Sequence, residues 1–380
     1  MSSLGGLGGL GGLGGLGGLG GLGGLGGLGG RGGLGGLGGL GGLGAASSDP
    51  LLADGLTKSR SALVGPFQGP TLPVNLPLPI DKADRLAQWA AERRLQVCEL
   101  ELLGGLHFDV NQAKESVTLG FVDLNRRPLK DHTVVRLIRP TAKVFKQQVG
   151  LVANYAELRE DRGSEILSQT TPQVPYWGSV VGLQPHRHKW TLELITLSLL
   201  LASDVEMRFK HAFACPRPME LSPQVQPMID TPGHASWPSG HATEAFTVAT
   251  VLLALLENAN GTGAKFREQL ERQAARIAVN RTVAGLHYPV DSAVGRLLGT
   301  ALGDFLVARC LGNNKLHERG FDGRKFHTPQ GGVVDFDLRV SMDDHHSGYY
   351  EYLGKVGNIA ASPLLAFMWS KAVKEWKPLQ

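Results

Sequence analysis

The chain runs to 380 residues, with 42% hydrophobic content and a formal net charge of +4. Such a composition builds a sizeable core, and so mild a basic excess, without a block of consecutive cations, argues against a nucleic-acid partner. Cys98, Cys215 and Cys310 are few, far apart and free of any CxxC pairing, which excludes a disulfide framework and a thiolate zinc site.

From Leu4 to Gly44 the sequence repeats Gly-Gly-Leu, interrupted at Arg31. Two glycines per triplet carry a high ordering entropy and leave isolated leucines with little to bury against. Residues 1–44 are therefore expected to be a disordered tail. A self-associating or surface-anchoring segment is the alternative, because the leucines recur without charge. Residues 45–80 read as an extended Pro-rich arm, since Pro66, Pro70, Pro73, Pro77 and Pro79 disfavour helix. Helical patterning starts near Asp81, an N-cap residue type, and continues through LAQWAAERRLQVCELELL. Further helices are expected at 131–148, 149–168, 190–212, 239–258, 264–283 and 290–311.

Strand-like alternation is clearest in VVDFDLRV at 333–340. Residues 312–380 are expected to hold loops, one short hairpin or edge strand, and a last helix near Pro363–Trp376. The predicted class is all-α: a helical bundle over 81–311 with minor β additions and a C-terminal extension over 312–380. The longest apolar runs, Leu192–Ala202 and Phe246–Leu256, fall short of the ~18–20 residues that cross a bilayer. No charged leader followed by an apolar stretch is visible. The expectation is a soluble chain with no membrane span. Association into identical copies is left open.

Chemistry concentrates in three pieces within 190–311. The first is Lys210-HAFACP-Arg217-Pro218. Lys210 closes a long apolar helix, and Arg217, placed before a proline, is pushed onto extended backbone, so two cations can clamp different oxygens of one anion. The second is Pro238-Ser239-Gly240-His241, leading into ATEAFTVATVLLALL. Ser239 sits where an N-cap belongs, and the unsatisfied N–H groups of a helix start attract an anion. Gly240 has no side chain to keep that anion away, and His241 in the first turn would face it. The third is Arg281-TVAGL-His287-YPV-Asp291. His287 and Asp291 are neighbours on one face if a helix begins near His287, and Pro289 is tolerated in a first turn. A carboxylate beside imidazole fixes its tautomer, leaving the other nitrogen as nucleophile or metal ligand. Gly285 ends the preceding helix and lets Arg281 fold back.

The succession K-x6-RP, PSGH, R-x5-H-x3-D resembles the type 2 phosphatidic acid phosphatase and vanadium-dependent haloperoxidase superfamily. One small departure is Asn280, where a serine is usual. The resemblance implies a mostly helical bundle in which His287 attacks phosphorus or ligates vanadium. It makes His241 the general acid or base and Asp291 the residue that orients His287. Lys210, Arg217, Ser239, Gly240 and Arg281 would hold the oxygens.

His234, in GHASWPSGH, resembles the histidine of the bromoperoxidase pattern H-x-S-Y-P-S-G-H, which lines the vanadate pocket. Met207, three before Lys210, is a second pocket candidate and a departure, since haloperoxidases often place Trp or Arg there. The favoured expectation is a haloperoxidase using vanadate as cofactor and hydrogen peroxide to oxidise halide, bromide ahead of chloride. The alternative is a cofactor-free acid phosphatase that forms a phosphohistidine at His287 from a phosphomonoester. Either takes a small-molecule substrate. Asp343-Asp344-His345-His346 reads as a solvated turn, and His186 and His188, near Trp177 and Trp190, as a buried polar patch or pocket rim.

Overall fold

The computed structural model describes residues 50–69, 77–124, 128–171, 173–312, 316–343, 345–355 and 359–377. The predicted tail, residues 1–44, lies outside them, as do Pro70 and Pro73 of the predicted arm. By its contacts the chain divides into two compact units, Met1–Gln96 and Val97–Gln380.

In the first unit the expectation of a wholly extended arm is corrected by helix α1, Pro50–Leu63, every residue of which is exposed. Pro50 begins it, where its missing N–H costs nothing, and the other prolines lie beyond its end. The helix expected from Asp81 is broken as well. A 3-10 turn, Asp84–Gln88, comes first, and Arg94 donates to the carbonyls of Leu86 (2.6 Å) and Trp89 (2.8 Å). The regular helix α2 spans only Ala91–Leu103.

The second unit joins helices to a five-stranded sheet, so all-α is corrected to a helical fold with a substantial mixed sheet. The strands are β1 Leu106–Asn111, β2 Ser116–Val122, β3 Asp131–Ile138, β4 His317–Asp322 and β5 Tyr350–Lys355, paired in that order. All neighbours are antiparallel except β3 and β4, which run parallel with Val135 opposite Arg319 and Ile138 opposite Asp322. The expected helix 131–148 is therefore a strand, then Pro140, then helix α3, Ala142–Tyr155. Val134, Val135 and Leu137 are all fully buried, so both faces of β3 are covered and the strand, interrupted by Arg136, lacks a clean alternation.

VVDFDLRV, by contrast, forms no strand. Its groups bond singly: Val334 O accepts from Gln148, Val340 O from Arg296, Asp335 from Tyr155, and Asp337 pairs with Arg339. A segment satisfied by scattered side chains needs no ladder, whatever its alternation.

The expected helix 149–168 is instead the second half of α3, a 3-10 turn at Ala156–Leu158 and then α4, Arg159–Ser168, and two helices were not expected, α5 Val174–Val181 and a single turn at Pro218–Leu221. The others follow the expected spans closely: α6 Lys189–Phe213, α7 Gly240–Asn260, α8 Gly263–Val283, α9 Pro289–Leu311 and α10 Pro363–Glu375. Glu375 of α10 accepts from the N–H groups of Trp190 and Thr191 (2.9 Å each), capping the start of α6. His188 stacks on Trp376 with ring centroids 4.3 Å apart, which makes it part of a buried patch.

The core is the packing of α7 against α6, α8 and α9. Gly295, Gly299 and Gly303 form a ridge on α9 that α7 touches directly. A methyl group at Gly299 would overlap the Thr243 carbonyl oxygen and stand 2.9 Å from Phe246 Cβ, and one at Gly295 would stand 2.6 Å from Ala242 Cβ. Two backbones this close set the start of α7 beside the start of α9, where two of the three sequence pieces lie.

The absence of a segment fit to cross a bilayer is also corrected. Helix α7 has 21 residues and a mean hydropathy of 1.3, enough by length and composition to do so, with 67% of that window buried inside the fold. Its threonines escaped a count of consecutive apolar residues. Thr243, Thr247 and Thr250 donate to the carbonyls of Ser239, Thr243 and Phe246, so the hydroxyls are satisfied within the helix.

Candidate active site

Ser239 caps α7 as expected: its backbone is extended and its hydroxyl accepts from Ala242 N (3.4 Å). Ser239 N in turn donates to Asp291 O (3.1 Å), tying the second piece to the third. Arg217 is extended (φ −78°, ψ 155°), as a residue before proline should be.

His287 and Asp291 meet at 2.8 Å between Nδ1 and Oδ2, though by a different route from the helical spacing expected. Helix α9 begins only at Pro289, so His287 stands outside it. Asp291, in the first turn, reaches back and accepts from Tyr288 N (3.2 Å), from His287 and from the Ser236 hydroxyl (2.5 Å). The reach of a first-turn carboxylate to the preceding residues is that of a capping box. Gly285 (φ +82°) ends α8 in the left-handed region, and Arg281 is buried beneath it.

Arg217 holds the centre. Its Nε donates to His234 O (3.0 Å), one terminal nitrogen to Leu286 O and His287 Nε2 (3.0 Å each), and the other to His234 Nδ1 (3.1 Å). Guanidinium only donates, so His287 Nε2 accepts, and its proton resides on Nδ1, facing Asp291. Lys210 Nζ donates to the carbonyls of Ala235 (3.3 Å), Ser236 (3.1 Å) and Pro238 (2.5 Å). Its three hydrogens thus pin the loop that carries His234, while its charge is felt across the site. Arg281 donates to Ile166 O (3.2 Å) and Gln169 Oε1 (3.1 Å), and its buried Nε has no acceptor. His241 Nε2 donates to Gln169 O (2.9 Å), leaving Nδ1 bare. Met207 lies exposed on α6, and Cys215 is a buried thiol pushed up to about 12 by burial.

The electrostatics follow from crowding cations and carboxyls out of water. Burial, then Arg281, holds His241 down to about 3, and burial, then Arg217 and Lys210, holds His287 well below the ordinary histidine range. Burial and Lys210 take His234 to about 4. Burial lowers Lys210 to about 8 and Arg281 to about 10. Burial raises Asp291 to about 6 despite its hydrogen bonds.

Several residues of this cluster escaped the sequence reading. Ser236 lies inside the quoted GHASWPSGH. Glu206, four before Lys210, and Glu244, three after His241, are at same-face helical spacing from motif residues, and that spacing was the signal available. Burial raises Glu206 to about 8 and Glu244 to about 7. Gln169, whose carbonyl and side chain bridge His241, Arg281 and Asn280, belongs to a stretch with no motif at all.

These shifts set a pH dependence of stability. Glu206, Glu244 and Asp291 have folded values above their unfolded ones. Their contribution is fully present below the ordinary carboxyl range and is lost as pH rises through about 6 to 8. His234, His241 and His287 are depressed, so theirs is lost as pH falls below the ordinary histidine value. The free protein should melt highest at mildly acid pH and lose stability from about pH 6 to about 8. Thermal melts at constant ionic strength check this, and a midpoint that rises across that window contradicts it.

Residues 191–315 match the PAP2 superfamily. The PAP2 segment thus contains all three sequence pieces. Two curated relatives, both named decaprenylphosphoryl-5-phosphoribose phosphatase and both from Mycobacterium tuberculosis (strains CDC 1551 / Oshkosh and ATCC 25618 / H37Rv), are similar to part of the chain. Each is 36% identical over 81 residues, which is 21% of this chain and 41% of the relative. The match spans less than half of those relatives' length. A PAP2 phosphatase relative favours the phosphatase alternative over the haloperoxidase expectation. The PAP2 match also removes the ground for expecting a soluble chain, since the superfamily includes membrane lipid phosphatases and α7 has the length and apolarity of a span.

Proposed function

We propose that the chain is a phosphatase that transfers a phosphoryl group from a phosphomonoester to His287 and then to water. The observation that carries the reading is the state of His287: its Nδ1–H is locked on Asp291, and its Nε2 lone pair is held beside Arg217. That is a neutral, oriented nucleophile next to a cation. In the first step Nε2 bonds to phosphorus, the bond to the ester oxygen breaks, and that oxygen takes a proton from His241. In the second, water attacks the phosphohistidine and His241 recovers the proton. Asp291 keeps the Nδ1 proton throughout and stabilises the charged ring. Arg217, Arg281 and the N–H groups at the start of α7 stabilise the phosphoryl oxygens. Burial, then Arg281, holds His241 neutral in the free site, so the proton it delivers to the leaving oxygen enters with a monoanionic phosphomonoester.

A second reading has one observation in its favour: His234 is bound to Arg217 within the same cluster, where a bromoperoxidase keeps its second histidine. The buried, acceptor-free Arg281 Nε and the His287 Nε2 that faces Arg217 fit vanadate as well as phosphate. Bound vanadate would supply peroxide activation, with His287 as its ligand.

Hydrolysis of a generic phosphomonoester without vanadate, run beside bromide oxidation with orthovanadate and peroxide, separates the two. Hydrolysis alone is the expected result; halogenation alone sinks the phosphatase reading. His241→Ala should keep oxyanion binding while turnover falls by roughly 10²–10⁴-fold, the usual worth of a proton donor. Unchanged hydrolysis by this variant would remove His241 from the mechanism.

A further inference from the structure

Three carboxyls lie among the three buried cations of the site, with a fourth, the exposed Glu220, bonded to the backbone of Arg217 at its edge. Lys210, Arg217 and Arg281 face Glu206, Glu244 and Asp291, all buried or nearly so. Asp291 is accounted for by its bonds to His287, Ser236 and Tyr288. Glu206 has no such account. It projects from α6 at the very start of α7, so close that a methyl group at Gly240 would overlap Oε1 and stand 2.7 Å from Oε2. The residue is 3% exposed, and Oε2 has no hydrogen-bond partner. The groups that act on it are Lys210 on its own helix, Glu244 on α7 and Arg217 on the loop after α6. A carboxylate at Gly240 stands where the helix-start N–H groups would meet a phosphoryl oxygen. Two anions at that position repel each other; a carboxylic acid and an anion form a hydrogen bond.

Resting on the phosphatase reading of the same site, we propose that Glu206 is a substrate-binding residue that acts as a neutral acid. It takes up one proton as the oxyanion enters and donates that hydrogen to a phosphoryl oxygen at Gly240. Charge accounts for the uptake. With all three carboxyls ionised the cations are balanced and a dianion gains little, whereas protonating Glu206 leaves the site cationic. Glu244 supports this from α7: a second carboxyl nearby disfavours two ionised forms together, as in carboxyl pairs that share a proton. The burial that raises both residues toward neutral pH is consistent with that role.

Tungstate is a suitable probe, being a tetrahedral dianion that does not itself titrate near neutral pH. Calorimetry of its binding to the full chain at about pH 9, where a Glu206 raised to about 8 is mostly ionised in the free site, in buffers of different ionisation enthalpy, counts the protons taken up. Wild type should take up close to one per tungstate, and its affinity should fall up to roughly tenfold per pH unit above about 8. In Glu206→Gln the amide donates without titrating, and the remaining Glu244 loses its like-charged neighbour. Uptake should then drop toward zero and the affinity become flat across that range. Tungstate binding by wild type without proton uptake, or full uptake retained in Glu206→Gln, overturns the proposal and leaves the oxyanion site standing. Failure of both folded proteins, checked by circular dichroism, to bind tungstate at any pH overturns the site reading and the proposal together.

Discussion

Replacing His287 by alanine should reduce phosphomonoester hydrolysis by roughly 10⁴-fold or more, while far-ultraviolet circular dichroism stays that of the wild type. The size follows from the role: a nucleophile leaves nothing to attack with when it is removed, whereas an orienting group leaves a slower version of the same reaction. His287 is buried at the end of a helix–helix junction rather than within a helix, so truncation opens a small cavity without breaking a backbone ladder. Asp291→Ala should lie between His287→Ala and wild type in rate. It should also cost stability, because Ser236, Tyr288 N and His287 all lose their buried acceptor. Single-turnover trapping of phosphoprotein is the direct check: wild type should carry acid-labile phosphate and His287→Ala none. Equal labelling of the two would transfer the nucleophile's role elsewhere.

The second large effect concerns architecture. Gly299→Val should destabilise the fold by about 3 kcal/mol, the upper part of the range for overpacking a close contact. A methyl group there already overlaps the Thr243 carbonyl oxygen and crowds Phe246 Cβ and Thr247 N, which are backbone and inner side-chain atoms that cannot swing away. α7 and α9 would have to separate, and their starts carry Ser239, His241 and Asp291. The melting midpoint should fall by roughly 5 °C or more, and activity should fall even in the fraction that remains folded. A variant with wild-type midpoint and rate would mean that the two helices do not rely on this approach.

The long helices were legible because they satisfy several local rules at once. α7 has a Ser cap, an apolar body and Gly261 after its end; α9 has Pro289 at its first position and Gly312 beyond its last. The site was legible for the same reason: each piece sits at a helix end, where sequence signals are strongest. What stayed hidden is what depends on partners distant in sequence. β3 reads as helix because burial on both faces erases its alternation, and VVDFDLRV reads as strand although nothing pairs with it. Gln169 reaches His241 from α4's end across 72 positions and Arg281 across 112, and no spacing rule points to it. Glu206 and Glu244 were within reach of helical spacing. They are the wrong charge for an anion site, which is also why they matter.

The parallel pairing of β3 with β4 has a consequence for the newly made chain. β3 ends at Ile138, and its partner begins at His317, with the helical body encoded between them. At a synthesis rate of roughly 5–20 residues per second, the ribosome delivers β4 about ten to forty seconds after β3. Throughout that interval one edge of β3, carrying Val134, Val135 and Leu137, has no strand beside it. An open, apolar edge is a template for pairing with another chain. Polypeptides that terminate before residue 317 keep that edge permanently, and they should be the aggregating species in any preparation that contains truncated product.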